Sequence, residues 1–191
     1  MNSYSKYIPN CITILRFLTL PFLVYFIYKN DRSLFSWLFF AALLSDIADG
    51  LIARIFRLQS EFGAKLDSWA DLLLFFVGIA GILIFEPDFF YEYRIWITIV
   101  LILYFGEMFY SLWKFKTISS FHTYASRVAA YCIGILFMSL FWFGIFSPIV
   151  YVSFFVSCFA YAEEILILRV LEELRSNVRG LYWIQKEKRK I

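Results

Sequence analysis

Six predominantly apolar stretches, at roughly 11–28, 33–54, 67–86, 93–113, 124–146 and 149–170, recur along the chain. Each is close to the length of about 20 residues that a helix needs to cross a hydrocarbon core about 30 Å thick. Backbone polar groups in hydrocarbon find partners only within their own helix or within a closed barrel, and continuous apolar runs of this length fit the helix. A water-soluble globule could not bury them: 62% of the 191 residues are hydrophobic, 23% aromatic and only 17% charged, whereas soluble domains are about half apolar and about a quarter charged. The expected fold is therefore an all-α integral membrane protein with six transmembrane helices, organised as a single domain over residues 1–191. Residues 1–10 would form a short N-terminal interfacial segment and residues 171–191 a basic tail. The first apolar run reads as a full span rather than as a signal peptide. A net charge of +3 is too small for a nucleic-acid binder. Cys11, Cys132 and Cys158 sit apart in apolar runs without metal-like spacing, as small packing residues do.

Basic residues set the orientation. Lys6, Arg16, Arg54, Arg57, Lys65, Lys114, Lys116, Arg127 and the seven cations from Arg169 to Lys190 fall on one side, against Lys29, Arg32 and Arg94 on the other. The positive-inside rule then puts both termini in the cytoplasm and the acidic connection at Glu86, Asp88 and Glu92 outside.

Within this apolar frame four carboxylates stand out, because acids inside membrane helices are costly and mark function by default. Asp46, Asp49, Gly50 and Ala53 stand at i, i+3, i+4 and i+7, and Asp67 and Asp71 at i and i+4, so each set shares one helix face. Asp46 lies 13 residues after Ser33 and Asp71 15 residues before Glu86, about 20 Å along the axis in each case. Both therefore fall in the cytoplasmic third of the bilayer. Four carboxylates at one depth repel each other unless a cation neutralises them, and an all-oxygen set favours Mg²⁺ or Mn²⁺ over zinc. Gly50 leaves room beside the Asp pair and Gly63 permits a close backbone approach. Arg54 suits a phosphate. The competing readings are helix-packing acids paired with Arg54 and Arg57, and an ion or proton transporter. All four acids lie in one hairpin and no internal repeat is evident, which fits a transporter poorly.

The pattern Asp46-x2-Asp49-Gly50-x2-Ala53-Arg54-x8-Gly63-x3-Asp67-x3-Asp71 resembles the signature of the CDP-alcohol phosphotransferase family at every fixed position. The opening Pro9-Asn10-x2-Thr13-x2-Arg16 looks like the family's first helix. The resemblance implies transfer of a phosphatidyl-type group from CDP-diacylglycerol to a small alcohol, with release of CMP. It implies that Asp46, Asp49, Asp67 and Asp71 hold a pair of divalent cations, Mg²⁺ or Mn²⁺. It implies that Asp49, Gly50, Ala53, Arg54, Gly63, Asp67, Asn10 and Thr13 contact the CDP moiety, and that Asp71 is the base taking the acceptor proton. A homodimer in a bacterial-type inner membrane, with its active site facing the cytoplasm, is the assembly it implies.

The acceptor is less determined. Asp67-Ser68-Trp69-Ala70-Asp71-Leu72 lacks the Pro and Lys of the Asp-Pro-x-Ala-Asp-Lys usual in phosphatidylglycerophosphate synthases. Its Asp-Ser-x-Ala-Asp is closer to phosphatidylserine synthases, without the Ser-Phe-Gly that follows there, and Leu72 replaces the Arg frequent in inositol-phosphate users. Lys114-x-Lys116-Thr117 is similar to a Lys-x-Lys-Thr run of phosphatidylglycerophosphate synthases. Lys114, Lys116, His122 and Arg127 form a cationic set suited to an acceptor phosphate, or serve simply as positive-inside residues. Glycerol 3-phosphate is the expected acceptor, with serine and inositol (or its phosphate) as alternatives. Glu107, Glu163 and Glu164 either line the acceptor site or pair with nearby cations at helix ends.

Overall fold

A computed structural model of the chain describes residues 8–55, 61–117, 121, 123–171 and 178–188; of these, 8–13, 46–55, 61–68 and 187–188 are described by backbone alone. Among the described residues all regular structure is helical: α1 (Ile8–Tyr28), α2 (Arg32–Ile55), α3 (Glu61–Phe85), α4 (Asp88–Glu92), α5 (Arg94–Phe115), α6 (Tyr124–Phe143), α7 (Ser147–Val170) and α8 (Leu181–Lys188). Each of the six apolar stretches lies on one long helix. The chain divides into two compact units, one comprising Met1–Pro87 with Leu140–Gly144 and the other Asp88–Ser139 with Ile145–Ile191.

Among the described residues three helices, Arg94–Phe115, Tyr124–Phe143 and Ser147–Val170, are long and apolar enough to cross a membrane, and shorter apolar stretches cover Ile14–Tyr28, Arg32–Ser45 and Trp69–Phe85. Large apolar side chains such as Ile95, Ile102, Phe109 and Trp113 are exposed along α5. That much exposed apolar surface suits contact with hydrocarbon rather than water.

In the first unit α1 packs against both α2 and α3. Asn30 adopts the left-handed conformation, φ 54°, where α1 has ended. The next helix starts with the Asp31 carboxylate accepting from the Leu34 N–H at 3.0 Å, which satisfies a donor that the first turn leaves open. The core is aromatic. Phe35 lies 4.8 Å from Phe141 and 5.6 Å from Phe39 between ring centroids, and Phe85 closes a third side at 5.3 Å. Arg32 finishes the arrangement: its Nε and Nη2 donate to the carbonyls of Phe141 and Leu140 at 2.8 and 2.6 Å, and Nη2 also pairs with Glu86 at 2.6 Å. Those carbonyls belong to the last turn of α6, where the Leu140 oxygen also accepts from the Gly144 N–H and the Phe141 oxygen from Ser36 Oγ, each at 3.2 Å.

Gly81 is required by this core. A Cβ there would stand 2.7 Å from Cζ of Phe35 and 3.2 Å from Cε1 of Phe141. Phe35 is fully buried and held by three other rings, so it has nowhere to move. Overpacking of about 1–3 kcal/mol should outweigh the roughly 1 kcal/mol that alanine gains over glycine in a helix. Gly81→Ala is therefore expected to lower the thermal unfolding midpoint of the purified protein in detergent; an unchanged or raised midpoint would show that the ring cluster can yield.

In the second unit α5 and α7 pack together. Tyr93 is buried just before α5 and its hydroxyl donates to Ser147 Oγ at 2.9 Å, tying the start of one helix to the start of the other. Ser153, Ser157 and Ala160 form a buried small-residue stripe on α7, as closely approaching membrane helices prefer, and Ser153 Oγ donates to the Cys132 carbonyl at 3.1 Å. The segment 171–191, expected as a basic tail, contains the helix α8. Ile184 buries itself against Phe121, Ile167, Leu168 and Leu171, and Glu163 accepts from the Leu181 N–H at 3.0 Å. That tertiary anchor, and not helix-forming tendency alone, accounts for order in a segment so short.

Candidate active site

The motif lies on the first unit's helices. Asp46, Asp49, Gly50, Ala53 and Arg54 occupy the C-terminal part of α2, Gly63, Asp67 and Asp71 the N-terminal part of α3, and Asn10 and Thr13 the first turns of α1. Each helix is continuous, so the axial spacings counted from the sequence apply along it. The side chains of Asn10, Thr13, Asp46, Asp49, Ala53, Arg54 and Asp67, and the surroundings of Gly50 and Gly63, lie outside the described residues, as does His122 altogether.

Asp71 is described, and it has a partner that composition and spacing did not single out. Arg16 of α1 donates from Nη1 to Asp71 Oδ1 at 2.9 Å; the arginine side chain is 0% exposed and the aspartate 47%. Arg16 Nε lies 3.5 Å from Ser45 Oγ on α2, and Ser45 in turn donates to the Ala42 carbonyl at 2.7 Å. One guanidinium thus touches the final motif aspartate on α3 and the residue immediately before the first motif aspartate on α2. A buried charge of this kind is tolerated only when paired, and the pairing is a charge-assisted hydrogen bond of ordinary length. In the sequence Arg16 reads as one more cytoplasmic cation. The available signal was its place inside the first apolar run, where a charge demands a partner.

The cationic residues proposed for the acceptor belong to the second unit. Lys114 donates from Nζ to the carbonyls of Leu168 and Leu171, each at 2.7 Å, and of Arg169 at 3.3 Å. Its ammonium closes the C-terminus of α7, where carbonyls and helix dipole both favour a cation. Lys116 is the left-handed C-cap of α5, φ 59°, and is exposed. Arg127 is also exposed, its guanidinium 5.9 Å from the Tyr124 ring centre. Glu107 and Glu164 are buried on α5 and α7, while Glu163 serves α8 as described.

Among the described residues no three His, Cys, Asp or Glu side chains come together as a metal site; three of the four motif carboxylates are beyond that description. The donor chemistry still fits a hard divalent cation. Four carboxylates are carried at one-turn spacing on two consecutive helices of one unit, and the one that is described is half-exposed rather than sealed in the core.

The family model for CDP-alcohol phosphatidyltransferase matches residues 6–169. The chain belongs to the CDP-alcohol phosphatidyltransferase family. It is thereby a multi-pass membrane protein of a transferase family of phospholipid synthesis, in keeping with its long apolar helices. Among curated relatives of this chain, the "CDP-diacylglycerol--glycerol-3-phosphate 3-phosphatidyltransferase" of Rickettsia prowazekii is 37% identical over 87 residues, covering 44% of this chain and 47% of the relative. The enzyme of the same name from Wigglesworthia glossinidia brevipalpis is 37% identical over 95 residues, 48% of this chain and 49% of the relative. The "CDP-diacylglycerol--inositol 3-phosphatidyltransferase" of Saccharomyces cerevisiae is 40% identical over 65 residues, 34% of this chain and 29% of the relative. The matched region spans about half the length of the bacterial relatives. No solved structure matches the chain.

Proposed function

We propose that this phosphatidyltransferase moves a phosphatidyl group from CDP-diacylglycerol to the hydroxyl of glycerol 3-phosphate and releases CMP. The observation that carries the reading is the half-exposed Asp71 carboxylate, the last acid of the family motif, braced by a buried arginine. In the reaction the acceptor oxygen forms a bond to the phosphorus bearing the diacylglycerol. The bond from that phosphorus to the bridging oxygen breaks, CMP leaves with the electron pair, and the acceptor's proton passes to Asp71. A positioned carboxylate within hydrogen-bond reach is the usual device for such a transfer. Asp46, Asp49, Asp67 and Asp71 would hold Mg²⁺ or Mn²⁺, as a two-metal site, and such ions supply charge neutralisation on the diphosphate. Asp49, Gly50, Ala53, Arg54, Gly63 and Asp67, with Asn10 and Thr13, would hold the CDP moiety. Six spans, cytoplasmic termini and a site near the inner surface let the acyl chains remain in the bilayer while nucleotide and acceptor arrive from water. A homodimer is proposed by family analogy alone.

The names of the Rickettsia and Wigglesworthia relatives support glycerol 3-phosphate. Lys114, Lys116, His122 and Arg127 are the cations that the sequence pattern offers to its phosphate, and of these Lys116 and Arg127 are exposed. Inositol is the second reading, carried by the yeast relative. The test follows CMP release from radiolabelled CDP-diacylglycerol by the purified protein with glycerol 3-phosphate, inositol and serine in turn; no release with any alcohol removes the proposal. Lys116→Ala separates the acceptors. Loss of a charge-assisted contact worth about 1.5–3 kcal/mol should raise the KM for glycerol 3-phosphate roughly tenfold or more with kcat little changed, and a neutral outcome would favour an uncharged alcohol.

A further inference from the structure

The geometry around Asp71 assigns a task to the residue behind it. We propose that Arg16 is a positioning residue, holding the Asp71 carboxylate in the orientation from which it takes the acceptor's proton; this rests on the reading of Asp71 as the base. An aspartate that is 47% exposed is not fixed by packing alone, and of the staggered rotamers such a side chain can adopt only a fraction point at a given hydroxyl. The 2.9 Å bond from Nη1 to Oδ1 narrows that choice, because the donor is enclosed: Arg16 is 1% exposed and lies 3.5 Å from the Ser45 hydroxyl. The three residues come from α1, α2 and α3, so the base is fixed relative to both other helices of its unit, including the one that carries Asp46 and Asp49.

A role in helix packing alone explains the arrangement less well. An apolar side chain would fill the same volume without the penalty of desolvating a guanidinium, which often makes buried ion pairs no more stable than their apolar replacements. The pairing is also one-sided. The arginine is wholly enclosed and the carboxylate opens outward, as expected when one partner is scaffold and the other must meet a substrate. Supporting shells of this kind matter because displacement of a reacting group by about 1 Å can reduce rate by about 10²-fold.

The test uses full-length protein in detergent with CDP-diacylglycerol, Mg²⁺ and glycerol 3-phosphate, replaced by inositol or serine if one of these is the acceptor that turns over. Arg16→Met should lower kcat by about 10–100-fold while the KM for CDP-diacylglycerol and the Kd for CMP by calorimetry stay within about threefold, the pattern of an interaction that matters in the transition state. Arg16→Lys keeps the charge without the planar fork and should recover part of kcat; it decides the matter if Arg16→Met does not yield folded protein. In an Asp71→Asn background, Arg16→Lys should cause no further loss, since both changes act through one group. Wild-type kcat in both Arg16 variants overturns the proposal. So does a parallel loss of CMP binding, or an undiminished effect of Arg16→Lys when Asp71 is already replaced. Full turnover in Asp71→Asn alone overturns instead the assignment of the base, whatever Arg16 does.

Discussion

Asp71→Asn should lower kcat by about 10²–10⁴-fold, the range that a positioned general base contributes, while CMP still binds. The substitution is well suited to the site. Asparagine has the same shape and keeps an amide oxygen where Arg16 Nη1 now donates at 2.9 Å to Oδ1, so the arginine retains an acceptor and the helices need not rearrange. What disappears is the charge, with its share in holding a divalent cation, and the capacity to take a proton. The separation of effects is the informative part: nucleotide affinity measured by calorimetry should change little, whereas CMP release under saturating CDP-diacylglycerol should fall by that factor to a slow rate that remains measurable. A variant that turns over at the wild-type rate would remove Asp71 from the chemistry and leave it as the counter-ion of a buried arginine.

Exhaustive chelation is expected to have an effect at least as large. If four carboxylates meet a diphosphate at this site, removal of divalent cations leaves like charges facing one another. Several kcal/mol of charge stabilisation then corresponds to a loss of about 10³-fold or more in CMP release. Mg²⁺ or Mn²⁺ should restore activity. Ca²⁺ should do so poorly, because it prefers longer oxygen distances of about 2.3–2.6 Å and looser coordination. A readout independent of turnover is available in the thermal midpoint, which Mn²⁺ should raise in the wild type and much less in Asp46→Asn. Undiminished CMP release after complete metal removal would falsify the metal assignment while leaving the family membership untouched.

Much of the architecture is legible in hydropathy because hydrocarbon imposes a single periodic requirement. The stretch read as 33–54 is the helix Arg32–Ile55, and the one read as 149–170 is Ser147–Val170. The departures have local causes. α3 begins at Glu61, ahead of the apolar run that signals it, since a helix can extend into polar sequence where hydropathy is silent. α6 ends at Phe143 because Gly144 turns left-handed, φ 77°, and the Arg32 guanidinium takes over the carbonyls there. α8 carries too little apolar character to announce itself; Ile184 in the buried cluster, Trp183 against Tyr124 and the Glu163 contact reveal it, and each depends on residues outside the helix. At the site, one-turn spacing of the aspartates is enough to place them on shared faces of two helices. The Arg16–Asp71 pair joins positions 55 residues apart, and no local periodicity reports that kind of proximity.

The clamp that Lys114 forms on the end of α7 bears on how mutational scans of this chain are to be interpreted. Replacing Lys114 would release three main-chain oxygens at once and loosen a helix terminus, so diminished activity there would follow from altered architecture whether or not the lysine ever meets a substrate. Two residues further on, Lys116 carries the same charge on an open surface. A comparison of the two distinguishes loss of a scaffold from loss of a ligand contact, which neither substitution could do by itself.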